Sequence, residues 1–120
     1  MPGDDFLANF RMRASISREV LVERTHQHAK HGQQRHRDRA SFKPVEFQFP
    51  AMLAEGERQI NADPETKTWQ SVLLEQVYGA MAADELPAMR QGLVQAAVVI
   101  LAWIEDIDTR PAPGGDVDGS

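Results

Sequence analysis

The stretch of sequence that decides the fold covers residues 69–110 and reads WQSVLLEQVYGAMAADELPAMRQGLVQAAVVILAWIEDIDTR. Apolar residues recur every three or four positions from Trp69 to Ala80, which is the spacing of an amphipathic helix. The Asp-Glu-Leu-Pro sequence that follows is typical of a turn and a new helix start. A second helix is then expected from Pro87 to Asp108. The stretch therefore predicts two helices joined by a short turn.

The second of these helices is apolar on nearly every side from Leu93 to Ile104, and Gln95 alone interrupts it. A helix that is hydrophobic all round must be buried all round. Three other predicted helices in a chain of 120 residues are too few to bury it. We therefore expect a homodimer or a higher homo-oligomer, in which a second subunit completes the core.

The N-terminal part of the chain predicts a leader followed by a helix. Residues 1–14 are expected to be flexible. Ser17 is placed to cap a first helix that runs to about His31. Gly32 suits the position just after a helix C-terminus. A single helical domain is therefore expected over residues 15–110.

Residues 33–49 are expected to form a loop whose aromatic residues alternate with polar ones. This alternation permits a short strand, but we favour an extended segment that covers the core. Pro50 is expected to open the second helix, because proline is favourable at the first helical position. The buried side of that helix would consist of Met52, Leu53 and Ile60.

The start of the third helix has more than one candidate. The Asp63-Pro64 pair is a cap followed by a first-position proline, although Thr66 or Thr68 could serve as the cap instead. Residues 111–120 are rich in Pro, Gly and Asp and are expected to be disordered.

Length and composition limit the classes of protein to which this chain can belong. A chain of 120 residues suffices for one domain, and the absence of Cys excludes disulfides and thiolate metal sites. The longest apolar run, residues 96–104, is far shorter than the roughly 20 residues that cross a bilayer. The N-terminus lacks the pattern of a secretion signal. We therefore expect a soluble cytoplasmic protein that does not bind membranes.

Charge is distributed unevenly along the chain. Residues 1–45 hold nine Lys or Arg against five Asp or Glu, and residues 46–120 hold four against thirteen. All four His lie between Arg24 and Lys43. A basic segment of this kind attracts phosphate. The alternative is that it is only a solvent-exposed helix end and loop, which has the same composition. Nucleic-acid binding is a weaker alternative, because the rest of the chain is acidic.

Two segments carry a resemblance to a known family. Residues 23–34 read ERTHQHAKHGQQ, and residues 93–105 read LVQAAVVILAWIE. They are similar to the Glu-Arg-x-x-Gln-x-x-Lys-Trp-Gly-x-Gln and Leu-Val-Gln-Val-Ala-Ala-Val-Ala-Val-Ala-Trp-Ile-Glu segments of the MazG-like nucleoside triphosphate pyrophosphohydrolases. The resemblance covers roughly residues 18–110. It implies an all-α bundle of about four helices whose core is completed by dimerisation.

The resemblance also implies a chemistry. Members of the family carry a Glu-Glu-x-x-Glu motif on one helix and a Glu-x-x-Asp-type motif on the next. Glutamates at i, i+1 and i+4 lie on one flank of a helix, where they collect Mg²⁺, a hard cation that prefers oxygen ligands. The metal and a carboxylate-held water then cleave a nucleoside triphosphate to a monophosphate and pyrophosphate.

This chain departs from the family at most of those positions. The matched residues are Glu75, Gln76, Gly79, Gly92 and Gln95. Glu75 is left as metal ligand and catalytic carboxylate, with the Gln76 carbonyl as a weak helper, so Mg²⁺ binding is expected to be weak or lost. An alternative in which Asp84 or Glu85 replaces the missing acids is disfavoured, because both lie at the turn.

Glycine is unexpected at positions 79 and 92, because a glycine in a helix interior lowers helix stability by about 1 kcal/mol relative to alanine. Loss of the glutamates relieves repulsion in a metal-free cluster. Close approach of two helices would also require glycine, and an engineered origin would fit as well. The sequence leaves these explanations open.

By the same resemblance, the substrate-binding residues are Gln27, Lys30 and His31, with Lys30 as a phosphate contact. His28 and His31 are spaced to share a transition metal, but Lys30 beside them disfavours a dication. Trp69 and Tyr78 are more readily explained as core or subunit-interface residues than as platforms for a base. Two functions remain: an impaired pyrophosphohydrolase, and a non-catalytic nucleotide-binding or interaction module.

Overall fold

The structure is a computed structural model in which residues 2–39 and 45–111 are described. These residues form four α-helices and contain no strand, so the all-α fold class is confirmed. The helices are α1 (Pro2–His31), α2 (Val45–Asn61), α3 (Trp69–Ala82) and α4 (Leu86–Thr109).

Helix α1 is a single element of 30 residues. The expected start at Ser17 is wrong, because the helix begins at Pro2 and Ser17 lies inside it. Residues 2–14, which we expected to form a flexible leader, are helical. The helix ends as expected: Gly32 has a φ of 71°, and its N–H donates to the His28 carbonyl at 2.7 Å. Only glycine adopts this left-handed conformation without a steric penalty.

Helix α2 begins at Val45, so the expected start at Pro50 is wrong. Phe47 and Phe49 are helical rather than extended, and Phe42 lies outside the described residues. Pro50 lies inside this helix, past its first turn, and has no N–H to donate to the carbonyl four residues earlier, so the helix lacks one backbone hydrogen bond there. The expected buried side is wrong for Met52 and Ile60, which are 69% and 40% exposed, whereas Leu53 is half-buried and Ala54 is buried.

Arg39 links the loop after α1 to the C-terminal end of α3 by side-chain hydrogen bonds. Its Nε donates to the Met81 carbonyl at 3.1 Å, and its Nη2 donates to the Ala83 carbonyl. Its guanidinium also lies 4.5 Å from the centre of the Phe47 ring. The last carbonyls of a helix lack intrahelical donors, so a charged donor there stabilises the end of α3.

Helix α3 begins with Thr68 as its N-cap, which confirms one of the alternative starts. The Thr68 hydroxyl accepts from the Ser71 N–H, and the Ser71 hydroxyl accepts from the Thr68 N–H, both at 3.0 Å. This reciprocal arrangement is a capping box.

Helices α3 and α4 form the expected antiparallel hairpin. At one end Ala80 faces Gly92. At the other end the Trp69 and Trp103 rings stack with centroids 6.3 Å apart, and the Trp69 indole N–H donates to Asp106 at 2.7 Å. The expected bounds of α4 hold to within a residue or two.

Among the described residues, α1 packs against α4 and against neither α2 nor α3. Ile16 is buried there, and Arg13 forms an ion pair with Glu105 at 3.0 Å. Beside this contact lies an apolar groove of about 540 Å³, which we call the α1–α4 groove. Its lining residues are Ile16, Ser17, Val20 and Leu21 from α1, and Val94, Ala97, Val98, Ile100, Leu101 and Ile104 from α4.

The single chain buries little of its apolar surface. Among the residues whose burial the structure describes, the buried apolar ones are Ile16, Ala54, Ala80, Met89 and Ala96. Helix α4 is long and apolar enough to cross a membrane by length and composition, and only 11% of its most apolar window is buried. Leu93, Val94, Val98, Ile100 and Ile107 of α4 are left 40–54% exposed by the other helices of the same chain.

Candidate metal and phosphate site

Glu75, the acid that remains at the motif positions, lies on α3 and faces α2. Its Oε1 accepts a hydrogen bond from Asn61 Nδ2 at 2.8 Å. Its Oε2 lies 3.6 Å from Arg58 Nε, and the Glu75 side chain is 24% exposed. The carboxylate is thus already paired with a cation and an amide donor. A dication at the same carboxylate would be repelled by the Arg58 guanidinium.

Asn61 holds Glu75 within a wider polar network. The Asn61 amide also donates to the Ser71 carbonyl at 3.1 Å, and its oxygen accepts from the buried Ser71 hydroxyl at 2.6 Å. Ser71 belongs to the capping box of α3. The network therefore joins the end of α2 to the start of α3, and Glu75 serves as one of its acceptors.

Arg58 and Asn61 were not expected at this site. The Arg58 side chain is 57% exposed and pairs with Glu55. Its Nε nevertheless reaches Glu75 across the α2–α3 contact. Spacing along one helix carries no signal for such a contact, because it depends on how two helices are rotated relative to one another.

The two motif glycines have different surroundings. A Cβ atom at Gly92 would lie 2.8 Å from the Ala80 Cβ and 3.0 Å from the Ala80 Cα, whereas a Cβ at Gly79 would meet nothing within 4 Å. Close helix approach therefore accounts for Gly92 and not for Gly79. We have no structural explanation for glycine at position 79.

The remaining motif positions offer no further carboxylate. Gln76 is half-buried and Gln95 is exposed. Within residues 2–39 and 45–111 there is no group of three or more His, Cys, Asp or Glu side chains that could hold a metal ion. Mg²⁺ prefers octahedral oxygen coordination that includes carboxylates. The donor set at the motif positions does not fit it.

The three residues expected to bind substrate do lie together. Gln27, Lys30 and His31 line a shallow groove of about 400 Å³ near the C-terminal end of α1, which we call the α1 basic groove. Its other lining residues are Glu23, His26 and Gln34. All six are exposed. Lys30 and the histidines favour an anion there, whereas the Glu23 carboxylate opposes one.

The α1 basic groove and Glu75 are not brought together within one chain. The groove is on α1 and Glu75 is on α3, and these helices do not touch in the described part of the chain. Within a single chain, the α1 basic groove and the paired Glu75 carboxylate are therefore two separate features.

Trp69 contributes to packing at the far end of the hairpin. The hydrogen bond from its indole N–H lowers the pKa of Asp106, and a hydrogen bond from Arg110 acts in the same direction. Because this carboxylate is held ionised by structural partners, it offers no proton for general acid catalysis at neutral pH.

Comparisons of the chain with family models, with curated proteins and with solved structures found no match. The resemblance to the MazG-like family therefore rests on the segments quoted above.

Proposed function

We propose that this chain is a MazG-like helical protein that binds a nucleoside triphosphate or a related phosphate compound and hydrolyses it weakly or not at all. In this proposal it is a soluble cytoplasmic binding module, and the metal-dependent reaction of the family is impaired. The observation that carries the proposal is the pairing of Glu75 with Arg58 and Asn61.

This pairing has a chemical consequence. A metal-dependent pyrophosphohydrolase needs several carboxylates that are free to share a cation. Here the carboxylate at the first motif position lies 3.6 Å from Arg58 Nε and accepts from Asn61, and the amide at the second offers a neutral oxygen. Neither Gly79 nor Gly92 has a side chain that could bind a metal ion. Pyrophosphate release is therefore expected to be at least about a hundredfold slower than with a complete motif.

Phosphate binding is supported by the α1 basic groove. Lys30 would meet a phosphate as a point charge, and Gln27 and the His31 ring would supply hydrogen-bond donors. The groove is open and shallow, so the proposal is for modest, salt-sensitive affinity.

An impaired enzyme is the second candidate, and one observation favours it. The Glu75 side chain remains partly exposed at 24%, and a carboxylate has lone pairs to spare after accepting two partners. Weak turnover with a high metal requirement would follow if a cation displaced Arg58 from Glu75.

The hydrolysis test measures pyrophosphate release from a panel of nucleoside triphosphates with Mg²⁺ or Mn²⁺. We compare the unmodified chain with Arg58→Gln/Gln76→Glu/Gly79→Glu. Gly92→Glu is left out because its Cβ would overlap Ala80. Turnover by the unmodified chain within tenfold of a typical median enzyme kcat of about 10 s⁻¹ contradicts the proposal. A triple variant without gain in metal binding or activity contradicts the assignment of the motif.

The binding test is separate, and uses calorimetric titration of nucleoside triphosphate without metal. Lys30→Gln is expected to weaken binding several-fold, since it removes a phosphate contact. Lys67→Gln, an exposed lysine in the α2–α3 turn, is the matched control and is expected to have no effect. If the two variants bind equally, the groove is not the phosphate site.

A further inference from the structure

Helix α2 has an apolar face that the rest of the described chain leaves uncovered. Helix α3 is the only one of the described helices that packs against α2, and it covers the side that contains Ala54 and Asn61. Phe49 and Met52 lie on another side of α2, where they are 64% and 69% exposed, and Ile60 is 40% exposed. Large apolar side chains grouped in this way on a surface are typical of an interaction site.

These exposed side chains form one continuous stripe along α2. Phe49, Met52, Gly56 and Ile60, which we call the α2 stripe, follow one another at steps of three, four and four residues. This spacing places them on one side of a helix, over a length of about 16 Å at 1.5 Å per residue. Apolar positions at such intervals are those through which one helix docks against another. The shape of the stripe therefore suits a helix rather than a compact ligand.

Gly56 lies at the middle of the α2 stripe and leaves it open there. A Cβ atom at this position would meet nothing within 4 Å, so contacts within the described chain do not require the glycine. A glycine lets the backbone of another element approach more closely than other residues do. With Phe49 and Met52 on one side of it and Ile60 on the other, Gly56 marks the point at which a docked helix would cross α2.

Acidic side chains border the α2 stripe on both sides. Glu55 and Glu57 flank Gly56 in the sequence, and each projects about 100° around the helix from it, in opposite directions. The Glu57 side chain is half-buried, and Glu55 remains 53% exposed although it pairs with Arg58. Arg58 itself reaches toward α3, where its Nε lies 3.6 Å from Glu75. The borders of the stripe therefore favour a partner with Lys or Arg beside its own apolar face.

We propose that the α2 stripe is a docking site for a basic amphipathic helix of another protein. The apolar face of that helix packs on Phe49, Met52 and Ile60, and the helix crosses α2 at Gly56. Its lysine or arginine side chains lie over the acidic borders of the stripe. Docking leaves the contact between α2 and α3 unchanged, because that contact uses another side of α2. The proposal is independent of nucleotide binding, whose residues lie on α1.

The first experiment measures binding of a defined helical peptide to the full chain by fluorescence anisotropy. The peptide has about 18 residues, of leucine and lysine only, with leucine at helical spacing along one face. It is expected to bind, and to bind less tightly as the salt concentration rises. A second peptide, with glutamate in place of each lysine, is expected to bind at least about tenfold more weakly. No binding of the lysine peptide, or equal binding of both peptides, overturns the proposal.

Variants of the stripe test where the lysine peptide binds. Met52→Gln is expected to raise the peptide Kd at least about tenfold, because it removes an apolar contact without adding charge. Leu86→Gln, at the start of α4 and 66% exposed, is the matched control and should change the Kd less than about twofold. Gly56→Ala is expected to raise it about fivefold, since the added methyl group holds the two helices apart. If Met52→Gln and Leu86→Gln have equal effects, the stripe is not the docking site.

A pair of double variants separates the position of the acids from the overall charge of the chain. Glu55→Gln/Glu57→Gln is expected to weaken peptide binding about fivefold and to reduce its dependence on salt. Asp84→Asn/Glu85→Gln removes the same charge from the α3–α4 turn and should change the Kd less than about twofold. Equal effects would mean that the peptide is attracted to the acidic chain as a whole, which overturns the proposal.

Sedimentation equilibrium tests the other possible occupant, a second copy of this chain. The unmodified chain and Met52→Gln are expected to have the same mass, and circular dichroism checks that both are equally helical. If Met52→Gln has a lower mass than the unmodified chain, the stripe is a contact between copies, and the proposal is wrong.

Discussion

Replacing Gly92 and Gly79 by alanine in turn tests the packing of α3 on α4 with one chemical change at two positions. Helix propensity alone favours alanine over glycine by about 1 kcal/mol at either position. At Gly79 the new methyl group meets nothing within 4 Å, so we expect Gly79→Ala to gain that amount. At Gly92 the methyl would lie 2.8 Å from the Ala80 Cβ. Because Ala80 is only 1% exposed, it has no room to move away.

The expected difference follows from the cost of overpacking. Extra methyl groups in a packed contact cost about 1–3 kcal/mol, so Gly92→Ala is expected to lie 1–3 kcal/mol below Gly79→Ala in unfolding free energy. The difference corresponds to roughly 4–12 °C in Tm at about 4 °C per kcal/mol. The measurement is thermal and urea unfolding of both variants and the unmodified chain at one protein concentration, since association shifts Tm.

Gly56→Ala in α2 is a second control, because its Cβ also meets nothing within 4 Å. It should resemble Gly79→Ala. If Gly92→Ala is as stabilising as the two other variants, α3 and α4 do not approach as closely as the structure has them. The account of Gly92 as a packing residue would then be wrong.

Three further perturbations test other parts of the structure. Arg39→Ala is expected to cost about 2 kcal/mol in unfolding free energy, since it removes two charged hydrogen bonds from the end of α3. Arg37→Ala, in the same loop, should cost under about 0.5 kcal/mol. If both variants lose the same unfolding free energy, the Arg39 hydrogen bonds do not stabilise the end of α3. Ser71→Ala is expected to lower the unfolding free energy by about 1–3 kcal/mol, because the partly buried partners of its hydroxyl lose a hydrogen bond. An unchanged free energy in urea unfolding would show that the hydrogen bonds of Ser71 do not stabilise the α2–α3 contact. The pKa of Asp106 is lowered below 3.8 in the folded chain, so its contribution to stability is present above that pH and is lost as pH falls through the folded pKa. Asp106→Asn should therefore remove part of the acid sensitivity of unfolding followed by tryptophan fluorescence, and an unchanged pH profile would refute this.

The sequence predicts the α3–α4 hairpin well because its signals are local. Apolar spacing and a Leu-Pro start are each readable within a few residues, although Thr68 was only one of the alternatives to an Asp63-Pro64 start of α3. The same kind of signal fails at Ser17 and Pro50. Both residues suit a helix start, but Ser17 is also compatible with a helix interior, and α2 begins at Val45, before the proline.

The candidate site is predicted less completely, for a physical reason. The sequence identifies Glu75 as the remaining acid, and it groups Gln27, Lys30 and His31 on one helix. It does not reveal that Arg58 lies within ion-pair distance of Glu75, since that contact depends on the packing of α2 on α3. Close helix approach was one of several explanations for the glycines, and the structure supports it at Gly92 alone.

The contact between Gly92 and Ala80 also restricts the order in which this chain could acquire a carboxylate at position 92. A glutamate introduced there first would meet the Ala80 methyl and backbone at contact distances below 3.4 Å. A change of Ala80 to glycine, or a wider separation of α3 and α4, would have to come before it. Each first step weakens the hairpin before the acid confers any benefit. Because of the short interhelical distance, a carboxylate at position 92 therefore needs a second, compensating change in the chain.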